Sequence, residues 1–430
     1  MPAMINRATP PSMTSLIVAR EFPWPDNGGG RMRNLRNIAI LSTYGKVIVL
    51  VVHDSWRPPP PRHLIRNIHS WLSLDQLILE DPPPYASCPA PLKLEWWNNY
   101  LGHPFDAIWS PFRHVALSRY IARQKINFIL FEDICLWRYV SATKLQVPIL
   151  MDCHNSQSHL DRELARALSS RSSAFQERVL RAANNMETVH RELPVSGFLV
   201  CSGLDQDRLQ ELGIEKSRID VVHNVVKPLS PRSSVDAKRR PMVSELLSAC
   251  RGPFILFAGV MNYAPNVSSA LFLIQHVLPL VKQCIPDARL LIVGKWPTPE
   301  LLEASLTNPH VFITGEVLDT LPYYDLADVL CVPLQSGGGT RFKILEAFAA
   351  DLPVVSSAKG CEGLTVKNGR ELLIAETAHE NADAIVRILS NKELKRSLCS
   401  SAKILLGSSY TPAVAAKQMR SVLRKYGLIA

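Results

Sequence analysis

Asp328-Val-Leu-Cys331-Val-Pro333-Leu-Gln-Ser-Gly337-Gly-Gly-Thr340-Arg341-Phe-Lys343-Ile-Leu-Glu346-Ala-Phe-Ala-Ala350 opens on an apolar run, turns through three glycines and closes on a helical pattern. The order is strand, glycine-rich loop, helix. Gly337, Gly338 and Gly339 let the backbone turn tightly and approach a ligand, and Thr340 suits an N-cap. Free N–H groups and the positive dipole end of the helix then form an anion site. Arg341 and Lys343 stand in its first turn, where cations oppose the dipole unless an anion binds. A diphosphate fits. Glu346 lies a turn further among apolar neighbours, where a carboxylate needs partners. Two stay open: the adjacent hydroxyls of a ribose, or an internal ion pair with Lys343.

Outward from this stretch, short apolar runs alternate with helical patterns, the mark of βα units and parallel sheets. In the first half the expected strands are 15–19, 46–52, 128–131, 148–152, 198–201 and 219–222. In the second they are 254–258, 289–293, 311–314, 329–333, 354–356 and 372–374. A Pro-, Ser- and charge-rich stretch at 227–241 separates the halves. Pro58–Pro61 and Pro82–Pro84 mark loops. The expected fold is α/β: two Rossmann-like, doubly wound domains, 1–226 and 250–408, facing a central cleft. The linker is 227–249, and a C-terminal helix within 409–430 folds back on the first domain. Ligands of such sheets sit beyond the carboxyl ends of strands, so the loops there are the candidates.

Composition narrows the class. A net charge of +10 favours anionic partners such as nucleotide phosphates. No zinc-finger spacing or aromatic-plus-basic nucleic-acid motif is present, so no nucleic-acid partner is expected. Nine scattered cysteines without a CxxC pair suit a reducing cytoplasm. No apolar run of about 18 residues is evident, and the N-terminal region lacks a signal-peptide core. The basic stretch Arg171–Arg181 is either a solvated helix face or a peripheral contact with anionic lipid.

The segment Gly337–Ser356 resembles the donor-site signature of the family-4 (group 1) glycosyltransferases, in the branch with a Gly-Gly-Gly-Thr-Arg form. Gly360-Cys-Glu-Gly-Leu364 fits the same branch. Upstream, Phe257-Ala-Gly-Val-Met-Asn-Tyr-Ala-Pro-Asn266, Ile292-Val-Gly-Lys-Trp-Pro297 and Thr314-Gly-Glu-Val-Leu-Asp319 follow in family order, so the resemblance covers about 130 residues. It implies the GT-B fold and a retaining transfer from a nucleotide-diphosphate sugar, without metal or other cofactor. It also implies roles. Glu346 binds the ribose hydroxyls. Backbone N–H groups at Thr340 and Arg341 hold the distal phosphate, and Gly338, Gly339 and Lys343 belong to the donor-binding set. Gly315, Glu316 and Val317 meet the base, and Asn262 lies near the donor phosphates.

The chain departs from the family in three places. Gly338 stands where many members carry a second glutamate that touches the transferred sugar. The loop Val260-Met-Asn-Tyr263 lacks the Arg and Lys that commonly bind diphosphate, a charge that Arg341 and Lys343 would replace. Asp351 occupies a usual glycine position after the helix.

In the first half, Gly28, Gly29, Gly30 and Arg33 follow the first strand and resemble the family's loop toward phosphate and acceptor. His154 ends a strand and matches the acceptor-side histidine, which makes His154, Arg341 and Lys343 the expected catalytic groups. Glu132 and Asp133 also end a strand, either as an acceptor-side pair or as loop charges. Asp205-Gln-Asp207 reads as a helix start. The expected acceptor is a carbohydrate or lipid-linked glycan in polysaccharide or glycoconjugate synthesis. A small-molecule acceptor, or a binding protein without turnover, is the alternative.

Overall fold

The computed structural model describes residues 13–20, 22–23, 29–52, 68–80, 108–143, 146–167, 173–226, 252–317, 319–338 and 341–430. The expected linker 227–249, both proline-rich stretches, Gly28, Gly339 and Thr340 lie outside them. The chain divides into two compact units, one within Met1–His223 that also takes in Ala416–Ala430, the other within Asn224–Ala415.

The first unit is built on a seven-stranded sheet of order β3-β2-β1-β4-β5-β6-β7. Its strands are β1 (Met13–Ala19), β2 (Gly45–Val51), β3 (Ile68–Ser73), β4 (Phe128–Glu132), β5 (Ile149–Cys153), β6 (Gly197–Val200) and β7 (Ile219–Val221). Every pairing is parallel. All five residues of both β4 and β5 are buried, as a sheet covered on both faces requires. β3 is not among the strands expected from sequence. Ile68-His-Ser-Trp-Leu-Ser73 has no clean alternation and is mostly half-buried at the sheet edge, so tertiary pairing with β2 makes it a strand.

The second unit carries a six-stranded sheet of order β10-β9-β8-β11-β12-β13. Its strands are β8 (Phe254–Ala258), β9 (Arg289–Val293), β10 (Val311–Ile313), β11 (Val329–Val332), β12 (Val354–Ser356) and β13 (Leu373–Ile374). Side chains alternate between two cores. Leu256, Leu330, Val332 and Val354 face one side with Leu345 and Phe348; Ile255, Phe257, Cys331 and Val355 face the other with Leu273 and Ile385.

The continuous helical stretch Ala264–Cys284 corrects one expectation: it is long and apolar enough to cross a membrane by length and composition. Its apolar stripe is spent inside the unit, where Ala270, Leu273, Ile274, Val277, Leu278 and Val281 are buried in the core. The helix Pro412–Lys425 buries Ala415, Met419 and Leu423. Gln418 accepts a 3.0 Å hydrogen bond from the His223 amide, and Lys425 pairs with Asp220 at 2.7 Å.

Each sheet reverses its direction of winding at one place, between β1 and β4 in the first and between β8 and β11 in the second. The loops beyond these strand ends hold the two polar clusters described next.

Candidate functional site

In the second unit the backbone makes room first. Gly294, at φ +154°, passes so close to β8 that a Cβ there would lie 1.6 Å from the Gly259 carbonyl oxygen. A Cβ on Gly259 would meet the Asn266 amide at 2.7 Å and the Lys343 ammonium at 3.1 Å. Gly337, at φ +97°, faces the Tyr263 hydroxyl, which a Cβ would approach to 2.8 Å. The loops after β8, β9 and β11 thus converge.

The helix Phe342–Ala349 starts at this convergence. Its N-cap is Arg341, not Thr340, and no side chain caps it. The Arg341 guanidinium is buried and donates to the carbonyls of Gly338 (2.8 Å), Gly337 (2.7 Å) and Lys359 (3.2 Å). Arg341 was expected to offer its charge to a diphosphate. The guanidinium is engaged with backbone and ties the glycine loop to the loop after β12.

Lys343 takes the other course. Its ammonium donates to Asn266 Oδ1 at 3.0 Å and lies 4.6 Å from the centre of the Phe257 ring. Burial, then the nearby Arg341 charge, push its pKa down to about 7. It has no ion-pair partner among the described residues. Asn266 is in turn fixed by donating to the Val260 carbonyl at 3.0 Å. Asn262, expected near the donor phosphates, is exposed, and the side chain that meets Lys343 is Asn266. Pro265 stands in the first turn of the helix Ala264–Phe272 and Asn266 beside it is buried, which a linear reading of the loop does not show.

Glu346 accepts a 2.9 Å hydrogen bond from the buried Tyr324 hydroxyl, rather than pairing with Lys343. Burial raises its pKa, against the lowering influence of Tyr324 and Lys343, and Asp319 adds to the rise. Gly315 (φ +69°), exposed Glu316 and half-buried Val317 follow β10. Gly338 is half-buried. Asp351 stands at φ +60°, the left-handed conformation expected for a residue in a glycine position.

In the first unit a second cluster lies at the ends of β4 and β5. Glu132 and Asp152 are register partners on adjacent parallel strands, and both are fully buried. Arg33, from the helix Gly29–Leu41, forks onto both oxygens of Asp152, with its Nε at 2.9 and 2.8 Å and a terminal nitrogen at 2.5 Å. It also donates to the Val222 carbonyl at 2.7 Å. The expectation of Arg33 in a phosphate loop is corrected: its side chain is 1% exposed and neutralises Asp152. Burial works against the Arg33 charge, but Asp152 outweighs it and holds the pKa above the ordinary value.

Asn37 donates to Glu132 at 3.0 Å and to Asp152 at 2.8 Å. His154 places Nε2 3.6 Å from Glu132 and 3.9 Å from Asp152, and Nδ1 3.6 Å from Asp133. Gly30 abuts its ring; a Cβ there would come within 3.2 Å of Nδ1. Gly29 begins the same helix. The Glu132, Asp152 and His154 ligand atoms lie within 4.8 Å of one another, but Asp152 already has a guanidinium on both oxygens, so the set does not fit a metal. Asp205 belongs to the start of the helix Gly203–Glu211, where Ser202 caps its amide at 3.2 Å.

Asn34, Asn37 and Tyr324 were missed from sequence. The available signal was a polar stripe, Arg33, Asn34 and Asn37, on a helix that also buries Ile38 and Leu41.

Residues 252–391 match the family of "Glycosyl transferases group 1". Over 149 residues the chain is 31% identical to the phosphatidyl-myo-inositol mannosyltransferase of Mycobacterium leprae, covering 34% of this chain and 39% of that protein. The match thus spans about two fifths of that relative's length. Among solved structures, HepE of Anabaena, crystallised with UDP and glucose, matches at a TM-score of 0.64 and 13% identity, covering 96% of this chain and 99% of its own. Sucrose-phosphate synthase of Thermosynechococcus elongatus matches at 0.66 and 17% identity, covering 96% and 98%. The fold is therefore the two-domain GT-B α/β architecture of these proteins.

Proposed function

We propose that this chain is a glycosyltransferase that moves a sugar from a nucleotide-diphosphate sugar to an acceptor, with retained anomeric configuration. The observation that carries the reading is Lys343: a desolvated ammonium beyond the β8 and β11 ends, held by an amide and an aromatic ring and by no carboxylate. Such a group gains most from a bound anion. Its position under the loop after β8 supplies the charge that the family's Arg and Lys bring there. Arg341 acts by shaping the loop, and Glu346, braced by Tyr324, takes the ribose hydroxyls.

As the bond between the sugar's anomeric carbon and the phosphate oxygen breaks, negative charge builds on the leaving diphosphate. Lys343 and the amides at the start of the helix Phe342–Ala349 stabilise it, and no step in this scheme uses a metal. Gly315, Glu316 and Val317 are assigned to the base, and His154 to the acceptor. The acceptor class proposed is a carbohydrate or lipid-linked glycan, for a cytoplasmic enzyme in peripheral contact with anionic lipid.

A screen of nucleotide sugars by nucleotide release tests this, with and without chelator, and with Lys343→Ala and Glu346→Ala. The expected result is chelator-resistant, acceptor-dependent release that both substitutions abolish. Nucleotide binding untouched by either would overturn the assignment. Inversion at the anomeric carbon, read from proton NMR of the product, would overturn the stereochemistry alone.

A further inference from the structure

In the transfer reading, Glu346 takes the ribose, and Lys343 with the start of the helix Phe342–Ala349 takes the diphosphate. These positions run backward along the chain, from the second turn of the helix to its first. A nucleotide sugar is ordered ribose, two phosphates, sugar. The group beyond the distal phosphate therefore falls over the loop that precedes the helix, at Gly337 and Gly338. Its hydroxyls need hydrogen-bond partners once water is excluded.

The structure brings Tyr263 to that place. The atoms nearest to a Cβ built on Gly337 are the Tyr263 hydroxyl oxygen at 2.8 Å and the Pro265 ring at 3.4 and 3.5 Å. Only a residue without a side chain leaves the phenol its room there. The backbone of Tyr263 is fixed, since its carbonyl accepts from the Asn266 and Val267 amides at 2.9 and 3.1 Å. Asn266 is the residue that holds Lys343. Ser269, in the same helix, donates to the carbonyls of Pro265 at 2.8 Å and Pro333 at 3.4 Å, which ties that helix to the loop after β11. The ring is nevertheless 45% exposed, so burial in the core does not account for its position.

We propose that Tyr263 is a specificity residue for the transferred sugar: its phenolic hydroxyl, held against Gly337, hydrogen-bonds a hydroxyl of the sugar on the distal phosphate. A phenol can donate one hydrogen bond and accept others, so a partner within the loop and a sugar hydroxyl are compatible. The inference deepens the transfer reading and rests on it for the class of ligand.

The test is calorimetry on the full-length chain, wild type and Tyr263→Phe, which keeps the ring and removes only the hydroxyl. The probes are UDP, GDP and ADP, each compared with its sugar esters UDP-glucose, UDP-N-acetylglucosamine, GDP-mannose and ADP-glucose. Affinity for the sugar ester that the wild type binds should fall roughly three- to tenfold, while affinity for the matching nucleoside diphosphate stays unchanged. The kcat/KM of transfer should fall in parallel. Equal losses for the two ligands overturn the proposal, because the hydroxyl then serves the diphosphate or the loop. Unchanged affinity for both overturns it as well. A wild type that binds none of the sugar esters fails the transfer reading itself and takes this inference with it, an outcome distinct from the other two.

Discussion

The Lys343 ammonium lies 3.0 Å from Asn266 Oδ1, joining the first turn of one helix to the first turn of another across the end of β8. A neutral acceptor holds the nitrogen in place without supplying counter-charge. Titration of the lysine near neutrality follows from that arrangement.

Nucleotide binding should therefore depend on pH. In the free protein Lys343 titrates near pH 7, and a bound diphosphate favours its charged form, raising its pKa. Binding then takes up a proton, and affinity falls as pH rises above about 7. Calorimetry in buffers of different ionisation enthalpy, across that range, should show the uptake in the wild type and its loss in Lys343→Gln.

Tyr324→Phe removes the hydroxyl that braces Glu346. A hydrogen bond to a charged group contributes about 1.5–3 kcal/mol, so donor affinity should fall roughly ten- to a hundredfold. The maximal rate should change less, because the ribose is remote from the bond that breaks. A steady-state KM and kcat comparison reads the difference.

Arg341→Lys should behave as a loop defect. One ammonium cannot reproduce a planar fork that reaches three carbonyls. The variant should lose about 1–3 kcal/mol of stability in denaturant titration as buried carbonyls lose partners. Nucleotide affinity should fall with it. Lost affinity at unchanged stability would instead show the guanidinium acting on the ligand.

Arg33→Met and Asp152→Leu should each cost about 3–5 kcal/mol, because each strands a buried charge. The double variant should cost much less than their sum, a coupling that a double-mutant cycle measures directly. Simple additivity would contradict the buried pair seen here.

Much of this fold is written locally. Phe128-Ile-Leu-Phe131 and Phe254-Ile-Leu-Phe-Ala258 are apolar at every position, and only a strand covered on both faces uses such a run. The Gly337–Glu346 stretch announces strand, turn and helix in a few residues. Ile68–Ser73 does not, since its identity as a strand comes from its neighbour.

The sequence by itself determined which residue types stand beyond the strand ends, because chain order fixes strands, turns and helix starts through local backbone preference and apolar periodicity. Only the tertiary structure decided what each charged side chain does. Arg341 bends back onto carbonyls, Arg33 is consumed by an aspartate 119 positions away, and Lys343 is left to an amide 77 positions away. The reason is physical. The energy of a charge depends on its desolvation and on its nearest partner, and both are set by segments that meet only when the sheets assemble.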